Sequence, residues 1–269
     1  MATGGRSRLR CARALSCLAV GAVGAVVGTW TVGVHAAAPA SAPSHALRRE
    51  LRLAPALARA VTVPMTRAAV LSVLTPVGGG GLQLYSGPDA AAPSASLPAT
   101  DELGSPLVLL GVARQGDWLE ALRPSRPNGS TGWVRDADVT TATPQYEVSV
   151  SLAAHQLRLI RISDGAVVLT STVGIGAPNT PTPPGEYFVR DLFPTHTMDH
   201  PYGPFAFGLS GHSDVLMHFG TGDGRIAIHG TNQPASIGAD LSAGCVHVPN
   251  DVDLALIPYL TLGTPVVIG

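Results

Sequence analysis

Apolar and polar residues alternate in short runs through most of this chain, with clusters of Gly, Pro, Asn and Asp between them. That alternation places one set of side chains in a core and the other in water, as on a half-buried strand. Leu82–Tyr85, Leu107–Val112, Trp118–Leu122 and Gly132–Val134 read as four such strands, with Arg126–Ser130 as a turn before the last. Short strands at this spacing predict a small β-barrel over residues 82–140. A second unit opens at Tyr146–Leu152, which alternates cleanly. Leu157–Ile162 and Ala166–Val173 flank Asp164-Gly165, a hairpin signal. The alternation slips at Leu159-Ile160, where a bulge is expected. Thr180–Gly185 reads as a rigid turn into a strand at Glu186–Arg190, and further strands are expected at Arg225–His229 and Pro265–Ile268. Helical periodicity is short, with one candidate at Asp251–Tyr259. The expected class is mainly β, a small barrel followed by a second, mainly β domain with one short helix.

The first 36 residues follow a different pattern. Met1–Arg13 is basic, Ala14–Val34 is uncharged and mostly apolar, and Val34-His35-Ala36 is a small-x-small triplet. This is the layout of a secretory signal, and the apolar run is also long enough to serve as an uncleaved anchor in the cytoplasmic membrane. Either reading exports the remainder to the periplasm or cell wall. Residues 37–81 are rich in Ala, Pro and Arg and read as a linker ending in Gly78–Gly81.

Composition narrows the chemistry. The chain has 269 residues, 45% of them hydrophobic and 13% charged, so disorder throughout is excluded. All 17 basic residues are Arg. Without Lys there is no Walker P-loop, no Schiff-base lysine and no Ser–Lys dyad. Beyond residue 36, 13 Arg face 18 acids, a net charge of −5 that argues against nucleic acid as a partner. Cys11 and Cys17 lie in the targeting segment, which leaves Cys245 alone in the exported part. A lone exported cysteine is either a reactive thiol or a small buried hydrophobe.

The densest chemistry runs from Ile226 to Val248. It includes His229-Gly230-Thr231-Asn232, then Gly238, then Ser242-Ala243-Gly244-Cys245-Val246-His247. A thiol nucleophile needs a nearby base, and a histidine at a strand end followed by glycine can present its ring to a cleft. A glycine before the cysteine lets backbone amides approach a carbonyl oxygen. The two residues stand sixteen apart, so only the fold can bring them together.

This stretch closely resembles the L,D-transpeptidase catalytic domain, the YkuD family. The family signature runs His-Gly-Thr-Asn, a Gly some nine residues after the His, then Ser-His-Gly-Cys-x-Arg. His229, Gly230, Thr231, Asn232, Gly238, Ser242, Gly244 and Cys245 match it in order and spacing. Thr182–Gly185 resembles the family's Thr-Pro-x-Gly turn, and Tyr202-Gly203-Pro204 sits where a substrate-facing flap would fall. The chain departs from the pattern at Ala243, usually His, and at His247, usually Arg. Gly116–Leu122 followed by Thr131–Val134 resembles a bacterial SH3-like domain, a module that often accompanies wall enzymes.

The resemblance implies Cys245 as nucleophile, His229 as base, the Gly230 carbonyl as the group orienting the imidazole, and the Gly244 and Cys245 amides as oxyanion donors. Ser242 and Thr231 would fix the loop by hydrogen bonding, and with His247 and Tyr202 they are the implied substrate-binding residues. The resemblance covers about residues 145–269 and implies a β-sandwich with one or two short helices there. The implied reaction belongs to peptidoglycan synthesis and cell shape. A tetrapeptide stem is acylated onto Cys245 with loss of D-Ala, and a second stem's amine completes a 3→3 cross-link. Water as acceptor would make an L,D-carboxypeptidase instead, and a non-catalytic wall-binding relict is the remaining alternative. No metal or organic cofactor is implied. His196-Thr197-Met198-Asp199-His200 superficially resembles a zincin helix, but Thr replaces the Glu and Pro194 and Pro201 flank it. His212 and His218 are the other residues a loop-built metal site would recruit.

Overall fold

The computed structural model describes residues 71–219 and 222–269. The expected signal or anchor at 1–36 and most of the expected linker lie outside the described residues. The strands run in chain order as β1 (Ser72–Pro76), β2 (Leu82–Leu84), β3 (Ala95–Leu97), β4 (Leu109–Gln115), β5 (Trp118–Leu122), β6 (Thr131–Arg135) and β7 (Val139–Ala142). They continue as β8 (Tyr146–Ser151), β9 (Gln156–Arg161), β10 (Val167–Thr172), β11 (Ile175–Gly176), β12 (Gly185–Pro194), β13 (Phe205–His212), β14 (Arg225–His229), β15 (Asp240–Ser242) and β16 (Val246–His247). The helix α1 (Asn250–Leu256) and the closing strand β17 (Pro265–Ile268) complete the chain. The protein is mainly β.

The N-terminal strands form a five-stranded antiparallel sheet in the order β6-β5-β4-β1-β7, beside the hairpin β2-β3. The linker expected through residue 81 is therefore shorter. Ser72–Pro76 pairs with both β4 and β7, and residues 77–79 form a tight 3₁₀ turn. Leu74, fully buried, ties that strand into the small core with Leu82, Leu84, Leu109, Leu119 and Val134.

The second unit is an eight-stranded curled sheet in the order β10-β9-β8-β17-β12-β13-β14-β16. Two of its pairings, β8 with β17 and β14 with β16, are parallel. The expected slip at Leu159-Ile160 is realised opposite them, where the β9-β10 register shifts between Val167 and Leu169. The inner face carries Val148, Leu157, Leu159, Tyr187, Phe207, Ile226, Ile228 and Val246 in one core, which Leu256 of α1 joins.

The two units share material. On β12, Tyr187 and Val189 point into the larger core while Phe188 between them is buried in the smaller one. Polar contacts reinforce that junction. The Arg126 guanidinium donates to the carbonyls of Asp223, Ser213 and Leu216 at 2.7–3.1 Å. Asn128 exchanges two hydrogen bonds with the His212 backbone. Arg225, at the start of β14, meets Asp191 at 2.5 Å, Glu102 at 2.9 Å and Asp101 at 3.4 Å. Burial alone would lower the guanidinium's pKa, but Asp191 and Asp223 outweigh it and hold the charge firmly.

Candidate active site

β14 and β16 lie side by side and in parallel, with Ile228 opposite Val246 and His229 opposite His247. Side chains alternate across a strand, so Ile226, Ile228, Val246 and Val248 fill the core. Ala227, His229, Cys245 and His247 consequently share the other face. The sixteen-residue gap between His229 and Cys245 is closed by this one pairing, which makes Cys245 the diagonal neighbour of His229.

His229 is almost wholly buried, and its Nδ1 lies 2.5 Å from the Gly230 carbonyl oxygen. A carbonyl only accepts, so Nδ1 carries the proton and Nε2 keeps its lone pair. The ring packs between Tyr202 and His247, each with its ring centroid 4.7 Å away. Burial chiefly, then the neighbouring imidazole of His247, pulls the His229 pKa down to about 3, although the Gly230 carbonyl opposes this.

Cys245 is half-buried and unpaired. Burial pushes its thiol up to about 11, only partly offset by the Ala227 amide, which favours the thiolate. The thiol thus holds its proton far more tightly than the imidazole does. Both shifts favour the neutral forms, the thiol and the imidazole.

The remaining expected residues divide by what they touch. Tyr202 is exposed, lies over His229 from the flap, and has its phenol pKa raised by burial and by the adjacent Cys245. His247 is half-buried, and its Nδ1 meets Ser236 Oγ at 2.9 Å. Ser242 and Thr231 are buried, and both brace the loop by hydrogen bonding as expected. Ser242 Oγ donates to the Cys245 carbonyl at 2.6 Å and accepts the Gly244 amide at 3.1 Å. Thr231 Oγ1 accepts the Gln233 amide at 3.0 Å. Their hydroxyls are spent on holding the turn.

One correction follows for the oxyanion donors. Gly244, held at φ +118°, has its N–H engaged by Ser242 Oγ, so it does not point freely at a substrate oxygen. Ala243 is exposed beside the nucleophile. Phe207 belongs to the core and Phe205 packs against it. The four histidines considered for a metal are scattered. His212 is buried against Asp223 at the junction, 2.9 Å away, while His200 stacks beside Tyr202 at 5.3 Å.

Two functional candidates escaped the sequence reading. Asn250 and Asp253, on α1, contact the backbone immediately after His229. Their spacing of three on a helix was the available signal, because it puts both on one face.

Comparison with known proteins bears on what this geometry serves. The model of the L,D-transpeptidase catalytic domain, YkuD, matches residues 145–268. Over 128 residues the chain is 34% identical to YkuD of Bacillus subtilis strain 168, which carries a provisional L,D-transpeptidase name; the match covers 47% of this chain and 68% of that one. YkuD of Bacillus licheniformis is 35% identical over 125 residues, covering 46% of this chain and 66% of its own. The chain thus spans about two thirds of the length of these curated relatives. Among solved structures, the L,D-transpeptidase from Mycobacterium smegmatis is 17% identical, with 78% of this chain and 86% of that one covered and a TM-score of 0.36. By its match to the family model and its identity to the curated relative, this chain belongs to the YkuD family of L,D-transpeptidase catalytic domains.

Proposed function

We propose that this protein is an exported peptidoglycan L,D-transpeptidase that works through a thioester on Cys245. The observation that carries the reading is the locked tautomer of His229. Its Nδ1–H is given to Gly230, which leaves the Nε2 lone pair on the sheet face that also carries the thiol. The exported location rests on the basic and apolar opening of the sequence.

In the first step Cys245 attacks the carbonyl of the third residue of a tetrapeptide stem. The thiol proton moves to His229 Nε2 as the S–C bond forms, because neither group is ionised beforehand. The tetrahedral oxyanion is met by the Cys245 amide, as Gly244 is already engaged. Collapse breaks the C–N bond to D-Ala, and the imidazolium returns its proton to the leaving amine. In the second step the amine of another stem attacks the thioester, gives its proton to Nε2, and the sulfur leaves to recover that proton. The product is a 3→3 cross-link, with no net change of protons on the enzyme. Tyr202, exposed above the base, forms a wall of the donor groove. The N-terminal β unit takes the role of an SH3-like wall module.

Intact-protein mass spectrometry after exposure to a carbapenem tests the thioester, and incubation with purified tetrapeptide stems tests the exchange. A single adduct on Cys245, D-Ala release and a cross-linked dimer are expected. Release of D-Ala with no dimer would reassign the protein as a carboxypeptidase, and no adduct at all would refute the catalytic reading.

A further inference from the structure

We infer that Asn250 and Asp253 are positioning residues, which fix the tautomer and aim of His229 by gripping the backbone of Gly230 and Thr231. The inference rests on the transpeptidase reading for its importance but not for its geometry.

The grip is built from the first turn of α1. Asn250 Oδ1 accepts the Thr231 amide at 2.7 Å. Asp253 Oδ2 accepts the Phe205 amide at 2.9 Å, and the Gly230 amide also favours its ionised form. Gly230 is thereby held through its own N–H and its neighbour's, and its carbonyl is left facing His229 Nδ1. The approach is close. A Cβ on Gly230 would lie 2.4 Å from Asn250 Oδ1 and 2.9 Å from Asp253 Oδ2, so no larger residue fits. The flap arrives at the same point, since a Cβ on Gly203 would lie 2.5 Å from both Asn250 Oδ1 and the Gly230 Cα. Asn250 also reaches the flap by donating from Nδ2 to the Met198 carbonyl at 3.3 Å.

Asp253 is a costly choice for a mere packing residue. It is fully buried, its Oδ1 has no hydrogen-bond partner, and burial raises its pKa to about 7 against the pull of the two amides. A buried carboxyl with an unmet oxygen opposes folding, and an apolar side chain of that size would fill the space at less cost. What the carboxyl supplies, and an apolar group cannot, is an acceptor that joins the flap strand to the backbone behind the base.

The test uses full-length protein with ¹⁵N-labelled histidine. Imidazole ¹⁵N shifts report which nitrogen of His229 carries the proton, and carbapenem acylation supplies the rate. In the unaltered protein the Nδ1–H form is expected. In Asn250→Ala and Asp253→Leu, a mixture of tautomers is expected. The limiting acylation rate should fall by about 10²-fold, the scale of a misplacement near 1 Å, with the half-saturating concentration little changed. Asn250→Asp keeps the acceptor for Thr231 and should restore most of the rate. Asn250 is less buried than Asp253, so Asn250→Ala keeps the test alive should Asp253→Leu fail to fold. An unchanged tautomer in folded Asn250→Ala overturns the inference, as does equal loss in Asn250→Ala and Asn250→Asp. Failure of the unaltered protein to acylate would instead refute the transpeptidase reading, with the tautomer measurement still standing.

Discussion

His229 and His247 stand opposite each other in the parallel pairing of β14 and β16, with their rings 4.7 Å apart. A base with a second imidazole against it resists taking a proton, because any charge on one ring repels charge on the other. Burial adds the larger part of that resistance.

The pH dependence of acylation should show this directly. The acid limb of the second-order rate reports the free enzyme's base and is expected well below pH 6.5, towards the value of about 3 imposed on His229. His247→Gln removes the repulsion, raises the basicity of His229 and should move that limb to higher pH. An acid limb near 6.5 in the unaltered protein would show that His229 is not held neutral as described.

Replacement of the reacting pair separates nucleophile from base. Cys245→Ser should abolish adduct formation in a folded protein, as read by intact mass. His229→Ala should slow acylation by roughly 10²–10⁴-fold, the usual worth of an acid–base group. Rescue by hydroxide should come late, because burial places the thiol at about 11 and not near the free value of about 8.5. Full turnover by folded Cys245→Ser would end the mechanism.

Asp253 should leave a mark on stability. Its pKa is raised to about 7 in the fold, so the folded state holds a proton that the unfolded chain releases near pH 4. Stability therefore falls as pH rises from about 4 to about 7, and is lower above that window than below it. Thermal melts of Asp253→Asn across this range should lose that component of the slope. An unchanged slope would show that Asp253 does not titrate there.

The small core should depend on the large one. Phe188→Ala empties a fully buried site and is expected to cost about 3–5 kcal/mol, measurable by chemical denaturation. A chain begun at Pro144 would expose Phe188 and strip Arg225 of Asp101 and Glu102, so it should be poorly soluble. A monomeric, stable fragment from that position would contradict the shared core.

Strands with one wet face were legible. β5, β14 and β17 occur at the residues their alternation marked, because each buries one face only. β13 was not legible, since nearly every residue from Phe205 to His212 is buried and a strand covered on both sides does not alternate. β1 was hidden in Ala-rich surroundings just before a glycine run, where Leu74 gave no sign of its partners. Cys245 and His229 could be named as candidates only because their surroundings resemble a family signature, and the close backbone contacts around Gly230 and Gly203 show why such surroundings are narrow in sequence. Asn250 and Asp253 could not, for polar residues at a helix start usually face water, and only the contact of α1 with β13 and with the backbone after β14 turns them inward.

β14 has five residues, with Arg225 fastened to Asp101 and Glu102 at one end and His229 at the other. At about 3.3 Å per residue its ends are some 13 Å apart, and a paired strand does not stretch. Any molecule grasped by the N-terminal unit is therefore held at a set distance from the thiol, as on a ruler and not on a leash. Reach then becomes a property of the strand, and the span between its two hands is fixed by the count of its residues.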